Sequence, residues 1–148
     1  MTEPVRPPAA TKDQARFYTA RTRTIGGRER GVSRSYDGRL DVKLSVPGEP
    51  VVGTNPEQLF AAGWSASFAS AVRAAARKRR IALAGDVAID AEVDSGDGGY
   101  FLRARLLVNI PGVDAETAEA LLAEAETQCP YCKATRGAIR VAINLEAP

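Results

Sequence analysis

Residues 54–80 read TNPEQLFAAGWSASFASAVRAAARKRR, and this stretch predicts the central helix of the fold. Asn55 can cap the first turn, Pro56 suits the first helical position, and the carboxylate of Glu57 lies at the positive end of the helix dipole. Residues 59–76 are apolar or small nearly all round, which is typical of a buried helix. We therefore expect this helix to pack against a sheet or a twin helix, and its many small residues indicate close backbone approach.

The same segment contains three serines but no residue that could activate a hydroxyl. Ser65, Ser67 and Ser70 lie in an apolar surrounding, and the whole chain contains no histidine. Ser-His-Asp and Cys-His catalysis and histidine-ligated metal sites are therefore excluded. The two cysteines supply only two zinc ligands, so we expect neither a metal nor another cofactor.

Composition indicates one ordinary globular domain. The chain has 148 residues, 45% of them hydrophobic and 26% charged, with a net charge of +2 that argues against nucleic-acid and anionic-membrane binding. The basic run at 77–80 suits the carbonyl end of the preceding helix. Residues 1–15 form a Pro-rich arm without the apolar core of a signal peptide, and no apolar run spans a membrane. We therefore predict a flexible arm at 1–15, a single domain at 16–148 and a cytoplasmic location with reduced thiols.

The elements on either side of the helix predict an α+β fold. Before the helix we expect an extended segment and a hairpin with a tight primed turn at Asp37-Gly38. After it we expect two long strands joined by a glycine-rich turn at 95–99, then an amphipathic helix capped by Asp114, and a last strand. The predicted elements lie at 17–31, 32–49, 81–96, 100–112, 113–128 and 138–147. An antiparallel or mixed sheet wrapped on the central helix would follow from this order.

Residues 129–132 read CPYC, which is a CxxC motif. Its two thiols can form a small-loop disulfide, and the proline favours a helix start that would lower a thiol pKa, as would Lys133 and Arg136. Two incidental thiols at a turn are the alternative. The same tetrapeptide occurs in glutaredoxins, but there it follows the first strand, whereas here it lies close to the end of the chain.

Two segments together resemble the organic hydroperoxide resistance (Ohr) branch of the OsmC family. They are TNPEQLFAAG at 54–63 and CPYCKATRG at 129–137, and the resemblance extends from about Phe17 to the last strand. It implies an OsmC-like fold in which strands wrap around a long buried central helix. It also implies an intertwined homodimer with two active sites at the dimer interface.

The chemistry that this resemblance implies is that of a thiol peroxidase. An organic hydroperoxide oxidises a peroxidatic cysteine to sulfenic acid, a resolving cysteine closes a disulfide, and a lipoyl-bearing protein or another dithiol reduces it. By position, the site residues would be Arg28, Glu57 and, as the resolving cysteine, Cys129. The peroxidatic position is occupied by Ser67, whose hydroxyl is neither acidic nor soft enough to attack a peroxide. Cys132 stands where the family motif has a serine.

Three explanations of this exchange follow. The redox pair has moved to Cys129 and Cys132, or Ser67 records a Cys-to-Ser change made to trap a reduced state. Alternatively, the chain is a non-catalytic dimer that holds an apolar ligand in the same pocket. Trp64 and Phe68 would line an apolar substrate channel, and packing in the core is the alternative for both.

The helix itself constrains the geometry of the site. Glu57 and Ser67 are ten positions apart, which corresponds to about 15 Å along the axis. If both belong to one site, either Glu57 comes from the partner chain, with two such helices packed antiparallel across a two-fold axis, or Arg28 bridges the gap. Arg28 would stabilise an anion at position 67 and orient a peroxide oxygen, and Glu57 would fix its guanidinium by a bidentate pair. The alternative is a solvated charge and a helix-cap acid.

Overall fold

The computed structural model describes residues 18–96 and 101–147. The predicted arm at 1–15 and most of the predicted turn at 95–99 lie outside these residues. In chain order the described elements are β1 (Thr22–Ile25), α1 (Gly27–Arg30), β2 (Val32–Ser35), β3 (Asp41–Lys43), α2 (Pro56–Lys78), β4 (Ala88–Gly96), β5 (Phe101–Asn109), α3 (Ala115–Gln128), α4 (Pro130–Thr135) and β6 (Arg140–Leu145). The α+β class is confirmed.

The central helix α2 forms where the sequence predicts it. Asn55 Oδ1 accepts a hydrogen bond of 2.8 Å from the backbone N–H of Gln58, and Pro56 opens the first turn. One face of α2 packs against β4 and α3, and it buries Trp64, Phe68, Val72, Ala75 and Ala76. The helix thus organises the core.

The expectation that α2 is buried nearly all round is wrong for the single chain. A stripe at helical spacing remains exposed and includes Gln58, Ala62, Ala66, Ser70 and Arg73. The β4–β5–β6 sheet and α3 cover only one side, and nothing else in the described part of the chain covers the other. Sequence composition alone could not show which small residues of α2 remain exposed to solvent.

The C-terminal half forms a mixed sheet of three strands. β4 pairs antiparallel with β5, and β5 pairs parallel with β6. On β5, Ala104, Leu106 and Val108 are buried, whereas Arg103 and Arg105 point outward and pair with acidic side chains of β4. The predicted first strand was too long, because residues 81–87 are irregular and β4 begins only at Ala88.

Helix α3 packs beside α2 and helps to close the core. Asp114 caps it by accepting a 2.7 Å hydrogen bond from the N–H of Thr117, as the sequence predicts. Leu121, Leu122 and Ala125 are buried against α2. The helix ends at Gln128, and its C-cap residue Cys129 is fully buried.

The N-terminal strands form a separate antiparallel sheet, β1–β2–β3. The tight primed turn predicted at Asp37-Gly38 is wrong: Ser35 pairs with Leu40, so four residues form the loop, with Gly38 at φ +74°. Every residue of β1 is exposed, and Ile25 is among the large apolar side chains left open. The expected single sheet around α2 is therefore two sheets, and the first leaves much of its surface uncovered.

No helix in the described ranges is long and apolar enough to cross a membrane.

Candidate functional site

Arg28 and Glu57 form an ion pair within one chain. Gly26 and Gly27 adopt left-handed backbone angles, with φ of +87° and +68°, which glycine tolerates because it has no Cβ. The tight turn that they make starts the one-turn helix α1, where a strand-like segment was expected, and α1 carries Arg28. Arg28 Nη2 donates a hydrogen bond of 3.0 Å to Glu57 Oε1. The pair is joined by this one bond and not by the expected bidentate contact.

The carboxyl group of Glu57 is held in its charged form. Burial works to raise its pKa, but its own backbone N–H in the first turn of α2, Arg28 and the Ser95 hydroxyl lower it, and the pKa lies below the ordinary value. The side chain is 16% exposed, against 44% for Arg28. The charged, mostly buried carboxylate of Glu57 therefore orients the partly exposed guanidinium of Arg28.

A small cleft lies beside this ion pair. It has a volume of about 190 Å³, and besides Arg28 and Glu57 its lining residues are Pro56, Phe60, Val93 and Leu102. The sequence signalled Phe60 only as part of the NPEQLF segment. Val93 and Leu102 were missed, because no pattern in the sequence shows that the β4–β5 register places them next to the start of α2. The cleft presents an apolar wall beside the two charged side chains of the ion pair.

Ser67 and Cys129 meet although they are 62 positions apart. Ser67 Oγ lies 4.0 Å from Cys129 Sγ, which is a long contact between two polar atoms. Cys129 is 0% exposed, because it stands between the end of α3 and the start of α4 with α2 beside it. The two positions that the resemblance pairs, peroxidatic and resolving, are thus neighbours in space.

The Cys132 thiol is not an acidic one. Burial, partly opposed by the Trp64 indole and reinforced by Cys129 and Glu126, raises the pKa of the Cys132 thiol to about 11. Arg136, whose Nη2 donates a hydrogen bond of 3.4 Å to the backbone carbonyl of Glu126, does not offset this rise. Both cysteines are free thiols in this structure, and Cys132 is protonated at neutral pH.

Trp64 and Phe68 are both fully buried in the core. The Trp64 ring stacks on Tyr131 with centroids 6.4 Å apart and meets Phe60 edge-on at 5.5 Å. Gly63 permits this packing, because a Cβ there would lie 2.7 Å from the Tyr131 hydroxyl. Core packing is what the structure shows for Trp64 and Phe68, and a role as channel wall stays a prediction.

One chain does not bring all the predicted site residues together. The Arg28–Glu57 pair lies at the N-terminus of α2, whereas Ser67, with Cys129 beside it, lies ten residues further along this helix, which corresponds to about 15 Å. Arg28 contacts Glu57, as a bridging residue would, but no hydrogen bond from Arg28 to Ser67 is formed within the described part of the chain, so both expectations stay predictions. Within residues 18–96 and 101–147, no cluster of acidic or sulfur side chains could hold a metal ion.

Comparison with known proteins gives consistent matches. The family model described as OsmC-like protein matches residues 46–144. An organic hydroperoxide resistance protein of Xanthomonas axonopodis pv. citri is 43% identical over 135 residues, which cover 87% of this chain and 94% of that protein. The organic hydroperoxide resistance protein OhrB of Bacillus subtilis is 39% identical over 137 residues, covering 88% and 98%.

Solved structures agree with the sequence matches. The crystal structure of an organic hydroperoxide resistance protein from Legionella pneumophila superposes with a TM-score of 0.81 at 38% identity, and it covers 89% of this chain and 99% of that one. The crystal structure of Bacillus subtilis OhrB gives a TM-score of 0.77 at 36% identity, covering 87% and 98%. The predicted family is confirmed: the chain belongs to the OsmC-like protein family, in its organic hydroperoxide resistance branch.

Proposed function

We propose that this protein takes part in oxidative-stress defence by binding and reducing organic hydroperoxides in a thiol-dependent reaction, with Ser67 at the peroxidatic position. The contact between Ser67 and Cys129 carries the proposal. Two residues 62 positions apart lie 4.0 Å from each other, at the two positions where a reductase of this type needs its peroxidatic and resolving groups. Ser67 cannot supply the first thiolate, so the fast first step of such a reductase is absent from this chain.

The cleft beside Arg28 supports an organic substrate. Phe60, Val93 and Leu102 give it apolar sides, and the Arg28 guanidinium supplies a cation at its edge. An apolar chain would pack on these side chains, while the peroxide oxygens would accept hydrogen bonds from Arg28. Hydrogen peroxide has no apolar part to bury and would gain less.

A homodimer would complete the site. The open stripe of α2 includes Ala62 and Ala66, the N-terminal sheet leaves Ile25 exposed, and the ion pair lies about 15 Å from Ser67 of its own chain. Antiparallel packing of two α2 helices would place Arg28 and Glu57 of one protomer near Ser67 of its partner.

Light scattering at micromolar concentration is expected to give twice the 15.7 kDa mass of the chain. Ala66→Glu should shift the mass to that of a monomer, because it buries a charge between the helices. The matched control is Ala115→Glu, which changes an exposed residue at the start of α3 and should leave a dimer. A monomeric unsubstituted chain would contradict the proposed assembly.

The activity is tested with cumene hydroperoxide and dihydrolipoamide, a dithiol of the kind carried by lipoyl-bearing proteins. We expect slow consumption that exceeds the rate with hydrogen peroxide and stops when the thiols are alkylated beforehand. A reduced cytoplasm would supply such a reductant, so we place the protein there. If the organic peroxide is not consumed in a thiol-dependent way, the proposed reaction is rejected.

A second candidate function is non-catalytic binding of an apolar ligand. The absence of sulfur at Ser67 and the high pKa of Cys132 favour it, because both remove reactivity while the cleft remains. Saturable binding of cumyl alcohol, weakened by Phe60→Ser and without any peroxide loss, would support this function instead.

A further inference from the structure

The two cysteines face different surroundings. Cys129 is 0% exposed and its sulfur lies 4.0 Å from the Ser67 hydroxyl. Cys132 is 8% exposed and lines a separate cleft of about 360 Å³, which we name the Cys132 cleft. Its other walls include Thr127, Arg136, Ile139 and Val141, and neither the Arg28–Glu57 pair nor Ser67 contributes to it. In the CPYC motif, the Cys129 sulfur therefore lies beside Ser67, and Cys132 lines the Cys132 cleft.

The indole of Trp64 lies beside the Cys132 sulfur. Trp64 is fully buried, and its Nε1–H has no hydrogen-bond acceptor within the described part of the chain. A buried donor without a partner costs about 1–3 kcal/mol, so an uncompensated one calls for an explanation. The group lies close enough to the Cys132 sulfur to favour its thiolate, although no hydrogen bond of normal length is formed. It would gain an acceptor whenever Cys132 becomes a thiolate.

We propose that Cys129 and Cys132 form a redox pair, in which Cys129 is oxidised beside Ser67 and Cys132 passes the disulfide to an external dithiol in the Cys132 cleft. The choice of an organic hydroperoxide as the oxidant rests on the proposed function. The disulfide that the resemblance places between positions 67 and 129 would thus form between Cys129 and Cys132, the two thiols present in this chain.

The steps balance in atoms and electrons. The Cys129 thiolate attacks the terminal peroxide oxygen, the O–O bond breaks, and the alkoxide leaves as an alcohol after taking a proton, so Cys129 becomes a sulfenic acid. The Cys132 thiolate then attacks the Cys129 sulfur, the S–S bond forms, and hydroxide leaves as water. A dithiol attacks the Cys132 sulfur, releases the Cys129 thiolate, and closes its own disulfide as Cys132 leaves. One peroxide and one dithiol give an alcohol, water and a disulfide.

Oxidation of Cys129 would itself activate Cys132. Besides burial, the influence of Cys129 keeps the Cys132 thiol protonated, since two neighbouring thiolates repel each other. A sulfenic acid at Cys129 is neutral, so it would remove the contribution of Cys129 to the raised pKa while burial remains, and the Trp64 N–H would donate to the Cys132 thiolate once it forms. The resting pair is thus protected, and its second member reacts after the first.

The pairing is tested by mapping the tryptic peptide 106–133, which contains both cysteines. After one equivalent of diamide, we expect this peptide to be lighter by two hydrogen atoms, as an intramolecular disulfide requires. Two free thiols, or only bridges between chains, would overturn the proposal. With cumene hydroperoxide in place of diamide the same product is expected, and Cys132→Ser should instead accumulate a sulfenic acid at Cys129 that dimedone traps.

The reductant's entry is tested on the oxidised protein with glutathione, a monothiol that leaves a mixed disulfide. Fragmentation should locate the adduct on Cys132, and an adduct on Cys129 would overturn the assigned direction. Thr127→Trp, which fills the rim of the Cys132 cleft, should slow reduction by dihydrolipoamide at least about tenfold, because thiol exchange depends on access. Glu116→Trp, exposed on the same helix about 16 Å away, is the matched control and should leave the rate unchanged.

The proposed redox pair and the proposed peroxide reaction can be rejected separately. If diamide closes the disulfide and organic hydroperoxide does not, the redox pair stands and the proposed peroxide reaction fails. If peroxide is consumed equally by Cys132→Ser and the unsubstituted chain in repeated turnover, the reaction stands and Cys132 has no part in it.

Discussion

Ser67→Cys is expected to raise the rate of cumene hydroperoxide reduction by at least about tenfold over the present chain. A thiol at position 67 would be partly exposed, unlike that of Cys129. In the proposed dimer, the Arg28 cation of the other protomer would lower its pKa from about 8.5 to roughly 7 or below, which would raise the thiolate fraction at neutral pH by an order of magnitude. Stopped-flow measurement of peroxide loss with excess dihydrolipoamide checks this.

In the same variant, Cys129 would act as the resolving partner. The atoms at positions 67 and 129 are 4.0 Å apart, and a disulfide of about 2 Å needs only a small side-chain rotation. Ser67→Ala is the matched control and should gain nothing, and adding Arg28→Ala to Ser67→Cys should remove most of the gain. If Ser67→Cys stays inactive while folded and dimeric, a thiol at position 67 is not enough for the reaction. Binding of an apolar ligand then becomes the favoured function.

Local signals in the sequence predicted α2 and α3 well. Caps at Asn55 and Asp114 are determined by neighbouring residues, so they can be recognised without the fold. The separation of the sheets and the exposed stripe of α2 could not be predicted, because they depend on which surfaces meet after folding. The failure at Asp37-Gly38 has a similar cause: two turn-forming residues do not fix the length of the loop around them.

The candidate site was predictable in its residues and less so in its contacts. The ten-residue spacing of Glu57 and Ser67 correctly separated them along α2, since helical rise is a local property. The contact between Ser67 and Cys129 was implied only by the family resemblance. The high pKa of Cys132 was missed, because helix position and nearby basic residues can be counted in a sequence, whereas burial beside Trp64 cannot.

Phe68→Ala is expected to lower the free energy of unfolding by about 3–5 kcal/mol. Phe68 is 0% exposed and is one of the largest fully buried side chains, so its removal leaves a cavity between α2 and the neighbouring elements. For a chain of this size, such a loss corresponds to a fall of roughly 10–15 °C in Tm. Urea unfolding and thermal melts at one fixed protein concentration check this, since the proposed assembly would make stability depend on concentration.

Val52→Ala is the matched control, because Val52 is 89% exposed and its truncation should change the free energy of unfolding by less than about 0.5 kcal/mol. Phe68 also follows Ser67 directly on α2, so the cavity should loosen the position of residue 67 relative to Cys129. In the Ser67→Cys background, Phe68→Ala should therefore slow disulfide closure at temperatures where the variant is still folded. A loss below 1 kcal/mol with unchanged closure would mean that Phe68 is not a core anchor of the site and that its side chain faces the substrate channel instead.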